Sequence, residues 1–498
     1  MRVLSADLWE PAPGQVLTWD VTPGAGLVPE PAPITFNQRN HLLGAERGEP
    51  SVWITAAFDV DGPVDVDALE AAFRDLVVGH PGLRVEAVRR LGTDVGLVQH
   101  EPGSLVWQRH DGPATRTVEA TRAHLVAELG RRCAPFGYPA FLPAGISRPD
   151  RSTIVLGMDH LHTDAWSTTV VVEELATLYA EHARHAAPVL AMAGAVAAGA
   201  GAVAAAPSAD APALPDVLTL PDVLTLPDAL TLPANDPVGP VFVGADDPRL
   251  ATWHGFLRDQ GWALPVFPLP LGVPDGERAP QRTVVRSLAD STTADAVAGR
   301  AAGAGASTSA AVLATFARAV ADLGGPTVLE TLLPVHTRAD ESARRAVGWH
   351  TTTVPLRIEV DAPVPAGAWA STGAGTGVVT DMALAATGQA LRAARALSAV
   401  PLEQLVETLP QPLRFPRRDI FQMSYLDYRR LPGHAAAAER RAHHVSAATR
   451  ADDLQIWVSR TDDGVAVRAR MPRTDVAVET IDALLDRWAA RLTELATG

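Results

Sequence analysis

The sequence predicts a mixed α/β protein built as two similar lobes, and three observations carry this. At 498 residues the chain exceeds what one ordinary hydrophobic core organises. Runs rich in β-branched and aromatic residues alternate with helical apolar stripes in both halves of the chain. Between the halves lies a stretch, about 186–240, whose composition suits no core.

In the first half, "SVWITAAFDVDG" reads as a strand. "VDVDALEAAFRDLVVGHPGLR" follows with Leu69, Phe73, Leu76 and Val77 on one helical stripe. Asp65 or Asp67 is placed to cap its start, and Gly79 lies near its end. "RTVEATRAHLVAELGRRCAPF" is helical, and the continuous apolar run "STIVLGMDHL" fits a buried strand. A helix is expected from about Ser167 to His182, turning Val171, Leu175 and Leu178 inward. In the second half "TSAAVLATFARAVADLGG" is a helix closed by glycines, and "TVLETLLPVHTR" and "TTTVPLRIEV" are strands. "GVAVRARM" alternates as a half-exposed strand does, and Ile481, Leu484, Leu485, Trp488, Leu492 and Leu495 give the last helix its core face.

The intervening stretch opens with the uncharged "VLAMAGAVAAGAGAVAAA", nearly long enough for a membrane span. Its Ala and Gly content supplies little transfer free energy, so a low-complexity insertion is expected there and no membrane partner. "LPDVLTLPDVLTLPDALTLP" follows, with Pro215, Pro221, Pro227 and Pro233 breaking any helix or central strand. The expected organisation is therefore a lobe at 1–185, an insertion or tether at 186–240, and a second lobe at 241–498.

A formal charge of −15 argues against nucleic acid as a partner, and no glycine-rich phosphate loop follows a strand. Cys133 is the only cysteine, which rules out an internal disulfide and a cysteine-based zinc site. With no basic-plus-apolar leader at the N-terminus, a cytoplasmic location is expected.

The chemistry concentrates in "GMDHLHTDAWS", Gly157 to Ser167. One reading takes His160, His162 and Asp164 as an HxHxD metal cradle. That signature in metallo-β-lactamases is followed by another histidine, where this chain has Ala165, and its distant ligands are missing. No bound metal is expected. The other reading makes His160 a lone base ahead of a structural aspartate.

The same residues resemble the HHxxxDGxS core motif of the condensation domains of nonribosomal peptide synthetases and their acyltransferase relatives. Further segments match in order. "PITFNQRNHL" is similar to the family's opening motif, and "LEAAFRDLVVGHPGLRVEAV" to the segment ending in HExLRTxF. "VGWHTTTVPLRIEV", "SAVPLEQLVETL", "PRRDIFQMSYLD" and "DLQIWVSRTDDGVAVRARM" resemble, in turn, the family's later segments.

The resemblance implies two chloramphenicol-acetyltransferase-like lobes in a V, an α+β sandwich pseudo-dimer with a central tunnel and the motif at the lobe junction. His160 takes the place of the catalytic second histidine. Asp159 stands for the first histidine and Ala165 for the glycine, a position where a left-handed backbone would strain alanine. In the family the motif aspartate, here Asp164, pairs with the arginine matching Arg84, and both support the site with Asp159 and Ala165. His162 is expected to be structural and Ser167 a local cap. Trp166, Trp349, His350, Thr352 and Tyr425 are candidate tunnel-lining residues, Thr352 replacing an asparagine usual in the family.

The implied reaction transfers an acyl or aminoacyl group from the phosphopantetheine thioester of a carrier protein to a small-molecule amine or alcohol, with no bound cofactor. A free-standing enzyme receiving its donor in trans is expected. Arg417, Arg418, Arg429 and Arg430, within a run that also holds Arg414, Arg440 and Arg441, are candidates for carrier docking or for a plain solvated face. Two alternatives remain: a CoA-dependent acyltransferase of the same superfamily, and a recruitment module that has lost its chemistry.

Overall fold

A computed structural model describes residues 1–24, 34–89, 95–199, 241–360 and 379–498. The first part of the chain lays down β1 (Arg2–Ser5), β2 (Gln15–Pro23), β3 (Trp53–Asp61), a small hairpin of β4 (Val85–Arg89) and β5 (Val95–Gln99), β6 (Leu105–Ala114), β7 (Phe141–Ser147) and β8 (Arg151–Asp159). Four helices accompany them: α1 (Phe36–Glu46), α2 (Val66–Gly79), α3 (Val118–Arg132) and α4 (Ala165–Gly199). Helix α1 is opened by a capping box in which Thr35 and Gln38 satisfy each other's backbone N–H. Asp65 caps α2, accepting from the Ala68 N–H.

The second part contributes β9 (Ala279–Asp290), β10 (Val328–His336), β11 (Thr351–Glu359), β12 (Gln422–Asp427), β13 (His443–Ser446), β14 (Arg450–Ala451), β15 (Gln455–Thr461) and β16 (Gly464–Pro472). Two seven-stranded sheets result, ordered β1-β13-β3-β8-β7-β2-β6 and β11-β10-β12-β15-β16-β9-β14. Each sheet has its own core. In the first, α2 and α4 cover one face through Leu69, Phe73, Val171 and Leu175, while α3 covers the other through Leu125 and Leu129. Gly157 in β8 lets α3 come close, because a Cβ there would stand 2.0 Å from a Leu129 methyl. In the second, helices Thr308–Asp322, Asp381–Ala396 and Asp475–Thr497 pack on inward residues such as Leu356, Ile456 and Val467.

The lobes are not sequential in the chain. β13, from the second half, is inserted between β1 and β3 of the first sheet, parallel to β1 and antiparallel to β3. The division near 240 is thus one of chain, not of sheets.

Helix α4 begins at Ala165 and runs to Gly199, past the end near His182 that its apolar stripe predicts. Alanine's helix propensity carries it into the low-complexity stretch; the proline repeat beyond lies outside the described residues. Among the described residues no helix is long and apolar enough to cross a membrane.

One buried acid is expected to make the stability of the second lobe depend on pH. Asp453, 1 % exposed, accepts from the Phe267 and Leu454 N–H groups. Burial pushes its carboxyl up to about 7, although these donors oppose the shift. A proton held more tightly in the folded than in the unfolded state stabilises fully below about pH 4, and this contribution declines as pH rises to about 7. Asp453→Asn keeps an acceptor for both N–H groups and removes the decline. The expected result is a variant more stable than wild type by about 2–4 kcal/mol at pH 8 and little different at pH 4, read by denaturant unfolding.

Candidate active site

β8 ends at Asp159, where the Asp159 N–H donates to Ala140 O (2.8 Å) and the His160 N–H to Val52 O (2.9 Å). The chain then makes one 3₁₀ turn, His160–His162, before entering α4. Asp159 caps this turn by accepting from the Leu161 N–H (2.9 Å). The strand register and the cap therefore fix where the His160 side chain leaves the backbone.

His160 Nδ1 lies 2.9 Å from Thr163 O. A carbonyl only accepts, so Nδ1 carries the proton and Nε2 keeps its lone pair. The ring stacks on Trp349 from the other lobe, centroids 4.0 Å apart and planes 22° apart. His160 lines a cavity of about 800 Å³ bounded by both lobes, and Nε2 makes no hydrogen bond among the described residues. Burial, followed by the neighbouring His41, lowers the pKa of the imidazole below the usual 6.5. It is held neutral, with its basic nitrogen free.

Asp159 does not pair with His160. Its Oδ1 accepts from His41 Nε2 (2.7 Å), on α1, as well as from Leu161. This buried carboxylate therefore orients a second imidazole, which also lines the cavity 6.2 Å from the His160 ring.

Asp164 joins the two lobes. Its Oδ2 accepts from Arg338 Nη1 (2.7 Å), the His350 N–H (3.1 Å) and Thr351 Oγ1 (3.1 Å). Its Oδ1 accepts from Arg338 Nη2 (3.0 Å) and from the Ser167 N–H (2.8 Å) and Oγ (2.9 Å). Burial alone would raise this carboxyl, but the Arg338 guanidinium and the Ser167 donors hold it below the ordinary carboxylate range.

The expected Asp164–Arg84 pair is corrected here: Arg338 is the partner. Arg84 ends the 3₁₀ turn that follows α2 and turns back on that helix, giving Nε to Val77 O (3.2 Å) and Nη1 to His100 O (2.7 Å). It closes the carbonyl end of its own helix and so supports the loop from within the first lobe.

Ala165 opens α4 without strain, since it is not among the residues with a left-handed backbone. Its N–H and that of Trp166 begin a helix whose N-terminus meets the cavity, so neither has an intrahelical acceptor. His162 turns away, donating from Nδ1 to Gly82 O (3.0 Å), beside the point where Gly82 passes Val347 of the other lobe too closely for a Cβ. His160, His162 and Asp164 thus serve three separate partners and do not converge on a common centre.

Of the remaining candidates, Trp166, Trp349 and Tyr425 line the cavity. Thr352 does not: its neighbours Thr351 and Thr353 do, because β11 alternates its faces. His350 is outside the lining as well; it gives its N–H to Asp164, and its ring lies over Gly348. Arg418 lines the cavity and pairs with Glu49 (2.9 Å). Arg417 bonds to Val273 O and Pro274 O, and Arg429 and Arg430 share Asp427.

Sequence reasoning missed Arg338, His41, His444 and Arg468, all of which line the cavity. Arg338 closes a strand at "LLPVHTR", and nothing local in the sequence ties it to a residue 174 positions earlier. The alternation of β16 was legible, but its polar face is the cavity wall and not open solvent.

No family model matches the chain. Its sequence is 27 % identical over 247 residues, 47 % of each chain, to "Acyltransferase PapA3" of Mycobacterium tuberculosis. It is 27 % identical over 165 residues to "Probable non-canonical nonribosomal peptide synthetase (NRPS) CymA" of Salinispora arenicola, 32 % of this chain and 2 % of that one. The chain thus spans about half, or far less, of the length of these curated relatives. In structure it is similar to "PapA2 acyl transferase" over the whole of both chains, TM-score 0.76 at 20 % identity. The condensation domain of the monacolin K polyketide synthase MokA superposes over 95 % of this chain, TM-score 0.60 at 15 % identity. Two lobes meeting at a histidine-bearing turn, together with these matches, show that the chain shares the fold of that acyl transferase and that condensation domain.

Proposed function

We propose that the chain catalyses acyl transfer from a thioester to an amine or hydroxyl, forming an amide or an ester. The observation that carries this reading is the state of His160: a neutral imidazole, fixed at Nδ1 and by Trp349, presents an unbonded Nε2 to a cavity shared by both lobes. In the reaction the acceptor N or O attacks the thioester carbonyl while Nε2 takes the acceptor's proton. The N–H groups at the start of α4 are placed to donate to the developing oxyanion. When the tetrahedral species collapses, the C–S bond breaks, and the imidazolium returns the proton to the leaving thiolate.

The donor in this reading is an acyl or aminoacyl group on the phosphopantetheine of a carrier protein, and the reaction is cytoplasmic. No resident cofactor is needed, because the thioester supplies the activated carbonyl. The arginines at 417, 418, 429 and 430 are the docking face proposed for the carrier, with Arg418 nearest the cavity.

The test is a mass-spectrometric transfer assay. Acyl and aminoacyl groups on a phosphopantetheinylated carrier, and on CoA, are offered with mixed amines and alcohols. Product from carrier-bound donors alone supports the reading, and product from CoA alone moves the donor assignment to CoA. Carrier binding without product from any donor favours a recruitment module.

The same geometry fixes the pH dependence. A base whose pKa is lowered stays neutral down to lower pH than free imidazole. The acid limb of kcat/KM is therefore expected below pH 6.5, with a flat profile from there to neutrality. A limb at or above 6.5 speaks against His160 as the titrating base.

A further inference from the structure

On the cavity wall, β15 and β16 set Trp457 directly opposite Arg468. The Arg468 guanidinium lies 4.0 Å from the centroid of the Trp457 ring. It is 6 % exposed, and no carboxylate among the described residues lies within ion-pair distance of it. Nη1 donates to Leu4 O (3.1 Å) and Ser446 Oγ (2.6 Å). Nε is buried without an acceptor, and Nη2 makes no hydrogen bond among the described residues. Burial, with the neighbouring Arg470, lowers the Arg468 pKa to about 10, and Tyr428 and Asp7 only partly oppose the shift.

The arginines nearby do not relieve it. Arg278, Arg418 and Arg470 share Asp419 and Glu49 among them, so this wall carries excess positive charge. His444, which bonds to Thr168 just after the motif (3.2 Å), is acted on electrostatically by both Arg468 and His160. This guanidinium, without an ion-pair partner among the described residues, therefore belongs to the same cavity region as the proposed base.

Nε is closed in by protein, but Nη2 has no protein acceptor and is not sealed off, so it can donate a charge-assisted hydrogen bond to an anion in the cavity. We propose that the cavity takes a substrate bearing a free carboxylate, seated on Nη2 of Arg468 beside Trp457. This rests on the acyl-transfer reading and narrows its substrate class. Either the acceptor or the acyl donor brings the carboxylate, and the experiment separates the two.

Matched pairs are compared in the transfer assay: amino or hydroxy acids against their methyl esters as acceptors, and half-acid diacyl thioesters against their methyl esters as donors. In one arm the acid is expected to be preferred about 10–100-fold in kcat/KM, the worth of a charge-assisted bond of ~1.5–3 kcal/mol. In Arg468→Gln that ratio collapses toward unity. Acid and ester used within about twofold of each other in both arms overturn the proposal, and this wild-type comparison holds even if the variant fails to fold.

Independently of transfer, His160→Ala protein is titrated calorimetrically with 3-phenylpropanoate and with its amide. Preference for the acid, lost when Arg468→Gln is added, supports the anion site. Equal or absent binding overturns it. Should no donor–acceptor pair give product, the acyl-transfer reading fails on its own, and the titration still decides the anion site.

Discussion

The kcat/KM of His160→Ala is expected to fall by about 10²–10⁴, the range a positioned general base contributes. The loss should be greater with a hydroxyl acceptor than with an amine. A hydroxyl is a poor nucleophile until its proton is removed during attack, whereas an α-amine with a pKa of ~8 is already partly neutral. Folding is expected to survive the change. The His160 side chain bonds only to Thr163 O, so truncation strands no buried charge and removes chiefly the stack on Trp349. Single-turnover rates with each acceptor class, beside thermal unfolding of the same protein, separate the two effects. An undiminished rate in a folded variant removes His160 from the chemistry.

The second large effect concerns stability. Arg338→Ala leaves the Asp164 carboxylate buried and without its cation, and Asp164→Ala does the reverse. Either is expected to cost about 3–5 kcal/mol, the penalty of an uncompensated charge rather than the net value of the pair. A paired apolar replacement, Asp164→Leu with Arg338→Met, should therefore regain most of that stability. It should not regain activity, because the His350 N–H, Thr351 and Ser167 lose the acceptor that draws the second lobe onto the start of α4. Because Asp164 is held below its ordinary pKa, the pair's contribution is complete at neutral pH and is lost only as pH falls through the depressed value. Arg84→Ala is the control: combined with Asp164→Ala it should add within about 0.5 kcal/mol, and a larger coupling restores the pairing that the sequence suggested.

Local signals in the sequence located most of the fold. Asp65 as a cap, the apolar stripes of α2 and of the last helix, and the apolar run of β8 all rest on contacts within a few residues. The catalytic candidate was legible for the same reason, since the turn that aims His160 is made by its immediate neighbours Asp159 and Thr163. What escaped is what the fold brings from afar. Arg338 reaches Asp164 from the other lobe, and His41 arrives on α1 to take the place beside Asp159. Arg468 reads in the sequence as the wet side of a half-exposed strand, and only the first lobe standing across from it makes that side a cavity wall. Arg84 stands five residues past the end of α2, and the 3₁₀ turn between them folds it back onto that helix's carbonyls, with which a distant carboxylate competes poorly.

The insertion of β13 between β1 and β3 has a mechanical consequence. A strand donated by one lobe to the sheet of the other is a clasp. Neither half can be cut away as an independent piece without opening the first sheet beside β3, so the halves should fold as obligate partners. Any breathing of the cavity must pivot about that clasp instead of hinging freely at the chain connection. Because the same strand carries His444 and Ser446 into the cavity wall, such a pivot would shift the floor beneath a substrate together with the walls around it.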